Sequence, residues 1–160
     1  MAALRLELST FKPGVNRVDL VTAPEDLELP AESWPTALSV VVLADRVGEL
    51  FNITAHVATE TDEECARCLK RLRMPLECVV HLLAERSGTG RHRDSDLGED
   101  DTLVFTDGRH VDLDPGVREA AILARPMAPL CRPDCRGLCT RCGADLNEGP
   151  CPHAPDAGTT

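Results

Sequence analysis

Alternating apolar and polar residues mark most of the regular structure in this chain. Leu4, Leu6 and Leu8 alternate with Arg5 and Glu7, the two-residue period of a half-buried strand. Lys12-Pro13-Gly14 then turns the chain, and 17–21 reads as a second short strand. Residues 38–44, L-S-V-V-V-L-A, form a continuous apolar run rich in β-branched side chains. Phe51, Ile53, Ala55 and Val57 alternate with Asn52, Thr54, His56 and Ala58; Leu76, Cys78, Val80 and Leu82 alternate with Glu77, Val79, His81 and Leu83. These three runs read as antiparallel strands.

Further on, T-L-V-F-T-D-G-R-H-V-D-L places Asp107-Gly108 between two short alternating runs. Asp-Gly favours a type I′ hairpin, whose central residues both need positive φ. Asp114-Pro115 opens a helix, with Asp114 as its cap and Pro115 at its first position. Val117, Ala120, Ala121 and Ala124 share its apolar face, and Pro126 ends it. The acidic stretch 24–32, P-E-D-L-E-L-P-A-E, reads as a solvated loop, and 86–101 as a mobile linker. The expected architecture is α+β: an antiparallel β-sheet or partial barrel with one packed helix, over 1–125, and a small cysteine-rich lobe and tail over 126–160.

Composition changes this picture in two ways. The core must be built from Val, Leu and Ala, because Phe11, Phe51, Phe105 and Trp34 are the only aromatic residues. The net charge of −10 argues against broad, non-specific binding to phosphate backbones, while leaving room for a local basic patch. The first residues lack the apolar run of a signal peptide, and no stretch approaches the roughly 20 apolar residues of a membrane span. The expectation is a cytoplasmic protein without membrane contact, whose thiols are free or metal-bound rather than paired in disulfides.

The richest chemistry lies at 131–153, C-R-P-D-C-R-G-L-C-T-R-C-G-A-D-L-N-E-G-P-C-P-H. It holds five of the eight cysteines. So polar a segment cannot offset its ordering entropy by burial, and bound Zn²⁺ is the cross-link that clustered thiols suggest. Cys139-Thr140-Arg141-Cys142-Gly143 has the form of a zinc knuckle. Cys131 and Cys135, four apart, are its first-choice partners, which makes Cys131, Cys135, Cys139 and Cys142 the expected ligand set. Three alternatives stay open, one of them that no metal binds. Cys151 with His153 or Cys135 can complete the knuckle, and the C-x-x-C pair Cys65 and Cys68 can close a site across the fold.

A closed four-thiolate site has no open position for water and is structural rather than catalytic. Arg67, Lys70, Arg71 and Arg73 cluster about Cys65 and Cys68, and Arg132, Arg136 and Arg141 are interleaved with the later cysteines. Brought together, they would form a basic face for phosphates or an acidic protein surface. His56 and His81 fall on the polar faces of their strands and read as solvated; Cys78 reads as a small core residue.

Three segments carry a family resemblance: C-A-R-C-L; V-D-L followed by V-R-E-A-A-I-L-A-R-P; and P-L-C-R-P-D-C-R-G-L-C-T-R-C-G-A-D-L-N-E-G-P-C. From about Leu50 onward the chain resembles the YceD family, the large-subunit ribosomal RNA accumulation proteins. The family often ends its motif C-x-C, where this chain has Cys151-Pro152-His153. Some members lack the later cysteines but keep C-x-R-C. The resemblance therefore implies that Cys65, Arg67 and Cys68 lie nearer the shared function and that the zinc site stabilises the fold.

It also implies a non-enzymatic role in ribosome biogenesis. The expected partner is large-subunit rRNA or a pre-ribosomal particle, met directly or through a ribosomal protein, with Cys65, Arg67, Cys68, Lys70, Arg71 and Arg73 as the contact residues. Two other functions remain open: a zinc-stabilised protein-interaction adaptor without RNA contact, and a thiol redox protein using Cys65 and Cys68.

Overall fold

The runs from 17 to 83 become strands longer than the pattern alone marks, while the first, 4–8, shortens to Arg5–Glu7. The computed structural model describes residues 3–85, 102–105 and 109–153. Among them lie β1 (Arg5–Glu7), β2 (Gly14–Thr22), β3 (Leu38–Val47), β4 (Leu50–Glu64), β5 (Arg71–Glu85), β6 (Thr102–Phe105), β7 (His110–Asp112) and α1 (Asp114–Ala124). The chain divides into two units, Met1–Thr61 with Pro75–Arg125, and Asp62–Met74 with Pro126–Thr160.

The first unit holds the apolar core. Its sheet has the order β2-β3-β4-β5-β6, with β1 and β7 forming a separate two-stranded pair. The larger sheet is open, since β2 and β6 are distinct edges. β3 pairs antiparallel with both β2 and β4, and the register sets Val40 opposite Val57, Val42 opposite Ala55 and Ala44 opposite Ile53. All six side chains are buried on one face, as the two-residue period requires. The fold is therefore α+β, as expected, without closure into a barrel.

Three expectations need correction. First, 24–32 is not a solvated loop. It opens with a 3-10 turn (Pro24–Leu27) and sends Leu27 and Leu29 into the core, with Trp34 close behind. Its carboxylates hid that apolar content.

Second, the two runs flanking Asp107-Gly108 do not pair with each other. β6 lies parallel to β5, and β7 pairs with β1. The turn itself, like the expected linker 86–101, lies outside the described residues.

Third, Asp114 is not the helix cap. Its amide N–H donates to the Asp112 carboxylate at 2.9 Å. Its own carboxylate accepts the amides of Ala3 and Leu4, both at 2.7 Å, and so ties the amino-terminal strand to the helix start. Val117 and Ala121 of α1 are buried as expected, whereas Ala124 is exposed. Gly116 allows the close approach, because a Cβ there would stand 3.2 Å from Val80 Cγ1 on β5.

The second unit has almost no apolar interior. Leu72, Leu130 and Leu138 pack around Cys65, Cys68 and Cys135, and these cysteines are its buried centre. No helix among the described residues is long and apolar enough to cross a membrane.

Candidate metal centres

Two turns of the same design organise the second unit. In Cys65-Ala66-Arg67-Cys68-Leu69-Lys70, between β4 and β5, the Leu69 amide donates to the Cys65 carbonyl at 2.9 Å, and the Cys65 amide donates to the Lys70 carbonyl at 2.9 Å. In Cys139-Thr140-Arg141-Cys142-Gly143-Ala144 the equivalent bonds are both 2.8 Å. The residue after the second cysteine is left-handed in each, Leu69 at φ 59° and Gly143 at φ 73°. Gly143 suits that conformation; Leu69 adopts it against the Cβ preference of L-residues.

This geometry aims backbone N–H groups at sulfur. The Cys68 amide, then those of Cys131 and Arg67, bring the Cys65 thiol down to about 6 against the opposing effect of burial. The Arg141 and Cys142 amides bring Cys139 down to about 7. Burial and the sulfurs of Cys68, Cys135 and Cys65 push Cys131 up to about 12. Within one cluster, then, the first thiolate forms readily and the last resists. Crowded like charges behave in this way, and a central cation would remove the penalty.

The structure sorts seven cysteines and one histidine into two sets of four. Cys65, Cys68, Cys131 and Cys135 form one, Cys139, Cys142, Cys151 and His153 the other; within each, the ligand atoms lie within 4.8 Å of one another. In the first set, Cys65 Sγ and Cys135 Sγ are 3.7 Å apart, and Cys68 Sγ and Cys131 Sγ are 3.6 Å apart. A tetrahedron with Zn–S bonds of about 2.3 Å has S···S edges of about 3.8 Å, whereas a disulfide needs about 2.0 Å. The spacing therefore fits four thiolates around one cation and does not fit two disulfides.

Cys65, Cys68 and Cys135 are buried. The surrounding contacts are specific: the Ala66 amide donates to the Pro129 carbonyl at 2.8 Å, the Leu138 amide to the Arg67 carbonyl at 3.2 Å, and the Arg67 guanidinium to the Cys135 carbonyl at 2.8 Å. The second set is more open. Cys139 is buried and Cys151 half-buried, but Cys142 and His153 are exposed.

The four cysteines grouped from the sequence are thus divided. Cys131 and Cys135 meet Cys65 and Cys68, while Cys139 and Cys142 meet Cys151 and His153. The physical reason is local. Gly137 packs its backbone against Arg67, where an added Cβ would sit 3.0 Å from the Arg67 carbonyl oxygen. That contact holds the segment carrying Cys131 and Cys135 beside the β4–β5 turn.

The expected basic face is largely engaged within the unit. Arg73 forms a two-point pair with Asp62 at 2.8 and 3.1 Å. Lys70 lies 2.9 Å from Asp145 and 3.7 Å from Glu148, and the Asp145 carboxyl is held down to about 2, chiefly by its hydrogen bond with Lys70. Arg132 donates to Asn147 at 2.8 Å. Arg71 and Arg141 are exposed. Sequence reasoning missed Asn147, whose side-chain amide donates to Cys135 Sγ at 3.5 Å; no spacing rule points to it. His56 and His81 are exposed on the sheet, as expected.

Comparison with known proteins adds the following. Residues 53–159 match the model of a family described as "Large ribosomal RNA subunit accumulation protein YceD". Uncharacterised proteins of Mycobacterium tuberculosis and Mycobacterium bovis are each 32% identical over 124 residues, which is 78% of this chain and 58% of theirs. A maize protein named "Large ribosomal RNA subunit accumulation protein YCED homolog 1, chloroplastic" is 36% identical over 55 residues, 34% of this chain and 19% of its own. This chain therefore spans less than two thirds of the length of each relative. No solved structure matches it.

Proposed function

This chain belongs to the YceD family, and from that premise we propose that it is a non-enzymatic, cytoplasmic ribosome-biogenesis factor supporting accumulation of large-subunit ribosomal RNA. The observation that carries the reading is the extent of the family match, which runs through both cysteine turns and the whole metal-ligating constellation.

In this reading Cys65, Cys68, Cys131 and Cys135 hold Zn²⁺, the cation that a tetrahedral thiolate set selects among common divalent ions. The ion supplies a cross-link in place of an apolar interior. The chain's own groups do the rest: backbone amides stabilise the thiolates, Arg67 anchors the Cys135 carbonyl, and the β4–β5 turn is presented as a fixed surface. A closed tetrathiolate centre leaves no site for a reactive water, which suits a structural role.

The internal pairing of Lys70 and Arg73 favours one form of partner contact. With those charges engaged and a net charge of −10, the chain is better suited to meeting the pre-ribosomal particle through a basic ribosomal protein than through bare phosphates.

Depleting the protein from its host and quantifying both rRNAs tests the role. Large-subunit rRNA should fall relative to small-subunit rRNA and recover with the wild-type chain. An unchanged ratio in depleted cells would overturn the proposal. Crosslinking in cells then separates the routes, since recovery of rRNA on the chain itself would favour direct contact.

A further inference from the structure

The segment between Cys142 and Cys151 serves both cysteine sets at once. Its ends belong to the outer set. Its middle reaches the inner one: Asn147 donates to Cys135 Sγ at 3.5 Å and accepts the Arg136 amide and the Arg132 guanidinium at 2.8 Å each. Asp145 holds Asn147 in place, accepting its amide N–H at 2.9 Å and its side-chain N–H at 2.7 Å, and pairs with Lys70 beside Cys68. The Leu146 amide donates to the Gly137 carbonyl at 2.9 Å. The support of the inner centre is therefore built on a loop whose two ends meet at the outer one.

We propose that this protein carries two metal ions, and that the outer, exchangeable Zn²⁺ site of Cys139, Cys142, Cys151 and His153 clamps the loop that supports the inner tetrathiolate centre. The donor set is complete: three thiolates and one imidazole within 4.8 Å of one another, on a turn that repeats the inner knuckle bond for bond. Three thiolates and a histidine form an established kind of zinc set. Access separates the sites. In the inner set Cys65, Cys68 and Cys135 are 0%, 5% and 2% exposed and only Cys131 reaches solvent, whereas in the outer set Cys142 and His153 face solvent and Cys151 is half-buried. A chelator can therefore reach the outer ion first.

The coupling has a physical origin. An ion joining Cys142 to Cys151 closes the intervening loop and removes its freedom before Asn147 and Asp145 make their contacts. A hydrogen bond to a ligand atom from outside the ligand set is typically worth 10–100-fold in metal affinity. Loss of the outer ion should therefore speed release from the inner centre without touching any inner ligand.

The proposal shares with the preceding section only the reading that the inner centre holds a metal. Native mass spectrometry of the full-length protein, purified with zinc, should find two ions per chain. Titration with a zinc chelator should remove them in two steps. H153A and, separately, C151S should retain one ion and release it about 10- to 100-fold faster than the wild-type inner ion. N147A should keep two ions and show the same acceleration at the inner centre. Unchanged Trp34 emission in each variant confirms that the sheet unit is intact.

One ion in the wild type, lost in C65S but kept in H153A, would overturn the outer site while leaving the inner reading standing. Two ions with wild-type inner release in H153A, C151S and N147A would overturn the clamp. No ion in zinc-reconstituted wild type would overturn both readings.

Discussion

Gly137 offers the sharpest test of how the second unit is held together. It combines a left-handed backbone, φ 76°, with a contact that leaves no room for a side chain. A Cβ there would lie 3.0 Å from the Arg67 carbonyl oxygen and 3.3 Å from Arg67 Cβ. In Gly137→Ala the left-handed conformation alone costs about 1–2 kcal/mol. The clash adds a further ~1–2 kcal/mol, either as overpacking or by pulling the Leu138 amide off the Arg67 carbonyl. The sum, about 2–4 kcal/mol, corresponds to roughly a 100-fold larger population of the locally open unit.

Thiol alkylation of the zinc-loaded protein, followed cysteine by cysteine, reads that opening directly. Cys65 and Cys135 should react on the order of 100-fold faster in G137A than in wild type. The control is Gly143→Ala. Its φ of 73° carries the conformational cost, but nothing lies within 4 Å of the added Cβ, so about 5- to 30-fold is expected at the outer set. If G137A reacts at the wild-type rate, or no faster than G143A, then the Gly137–Arg67 contact does not hold the inner centre.

Four further outcomes follow from the same reasoning. Leu69→Gly should be neutral or stabilising by up to about 1 kcal/mol in urea denaturation of the second unit, because it relieves a left-handed non-glycine residue whose side chain is largely exposed; a clear loss would show that the Leu69 side chain matters more than its backbone. Asp114→Ala removes a carboxylate accepting two amides at 2.7 Å and should cost about 2–4 kcal/mol, read as a shift in the Trp34 fluorescence transition. In Asp145→Asn the Lys70 pair is lost. Because the folded carboxyl is held to about 2, below its ordinary 3.8, the wild-type advantage should be full above that ordinary value and vanish as pH falls through about 2, tracked by circular dichroism of the two proteins. Removing metal with a chelator should expose the thiols of the second unit while Trp34, 1% exposed in the core of the first, keeps its emission; a shift in that emission would mean that the sheet depends on the metal.

Where a single physical rule decided the outcome, the fold was legible. The alternation through β4 and β5 had one satisfactory reading, since only one phase puts Phe51, Ile53, Leu76 and Val80 in the core together, and the continuous β-branched run of β3 pairs with it to bury Val40 and Val42. Two rules competed at the sites of the corrections. In 24–32 the carboxylates of Glu25, Asp26, Glu28 and Glu32 pulled the reading toward solvent, although Leu27 and Leu29 at a spacing of two can bury while their neighbours stay out. At Asp107-Gly108 a strong local turn signal met a long-range preference: β1 needed an edge partner and β7 supplied it. Asp114 could have capped a helix or tied down a strand, and tertiary contact with Ala3 and Leu4 won.

The candidate metal centres show the limit of spacing arguments more clearly. Proximity along the chain grouped Cys131 and Cys135 with Cys139 and Cys142, yet a ligand set is chosen by which backbones dock, and docking here runs through Gly137, Pro129 and Arg67. A different count would have exposed the division. Two C-x-R-C turns, at Cys65 and Cys139, each bring two thiolates and each need two more ligands. Cys131 with Cys135, and Cys151 with His153, supply those four, leaving Cys78, half-buried against the sheet core. Counting donors against coordination number, rather than by adjacency, yields the same two groups of four that the structure brings together. It does not yield Asn147, because a hydrogen bond onto a ligand sulfur from outside the set depends on the path of a loop that no ligand spacing encodes.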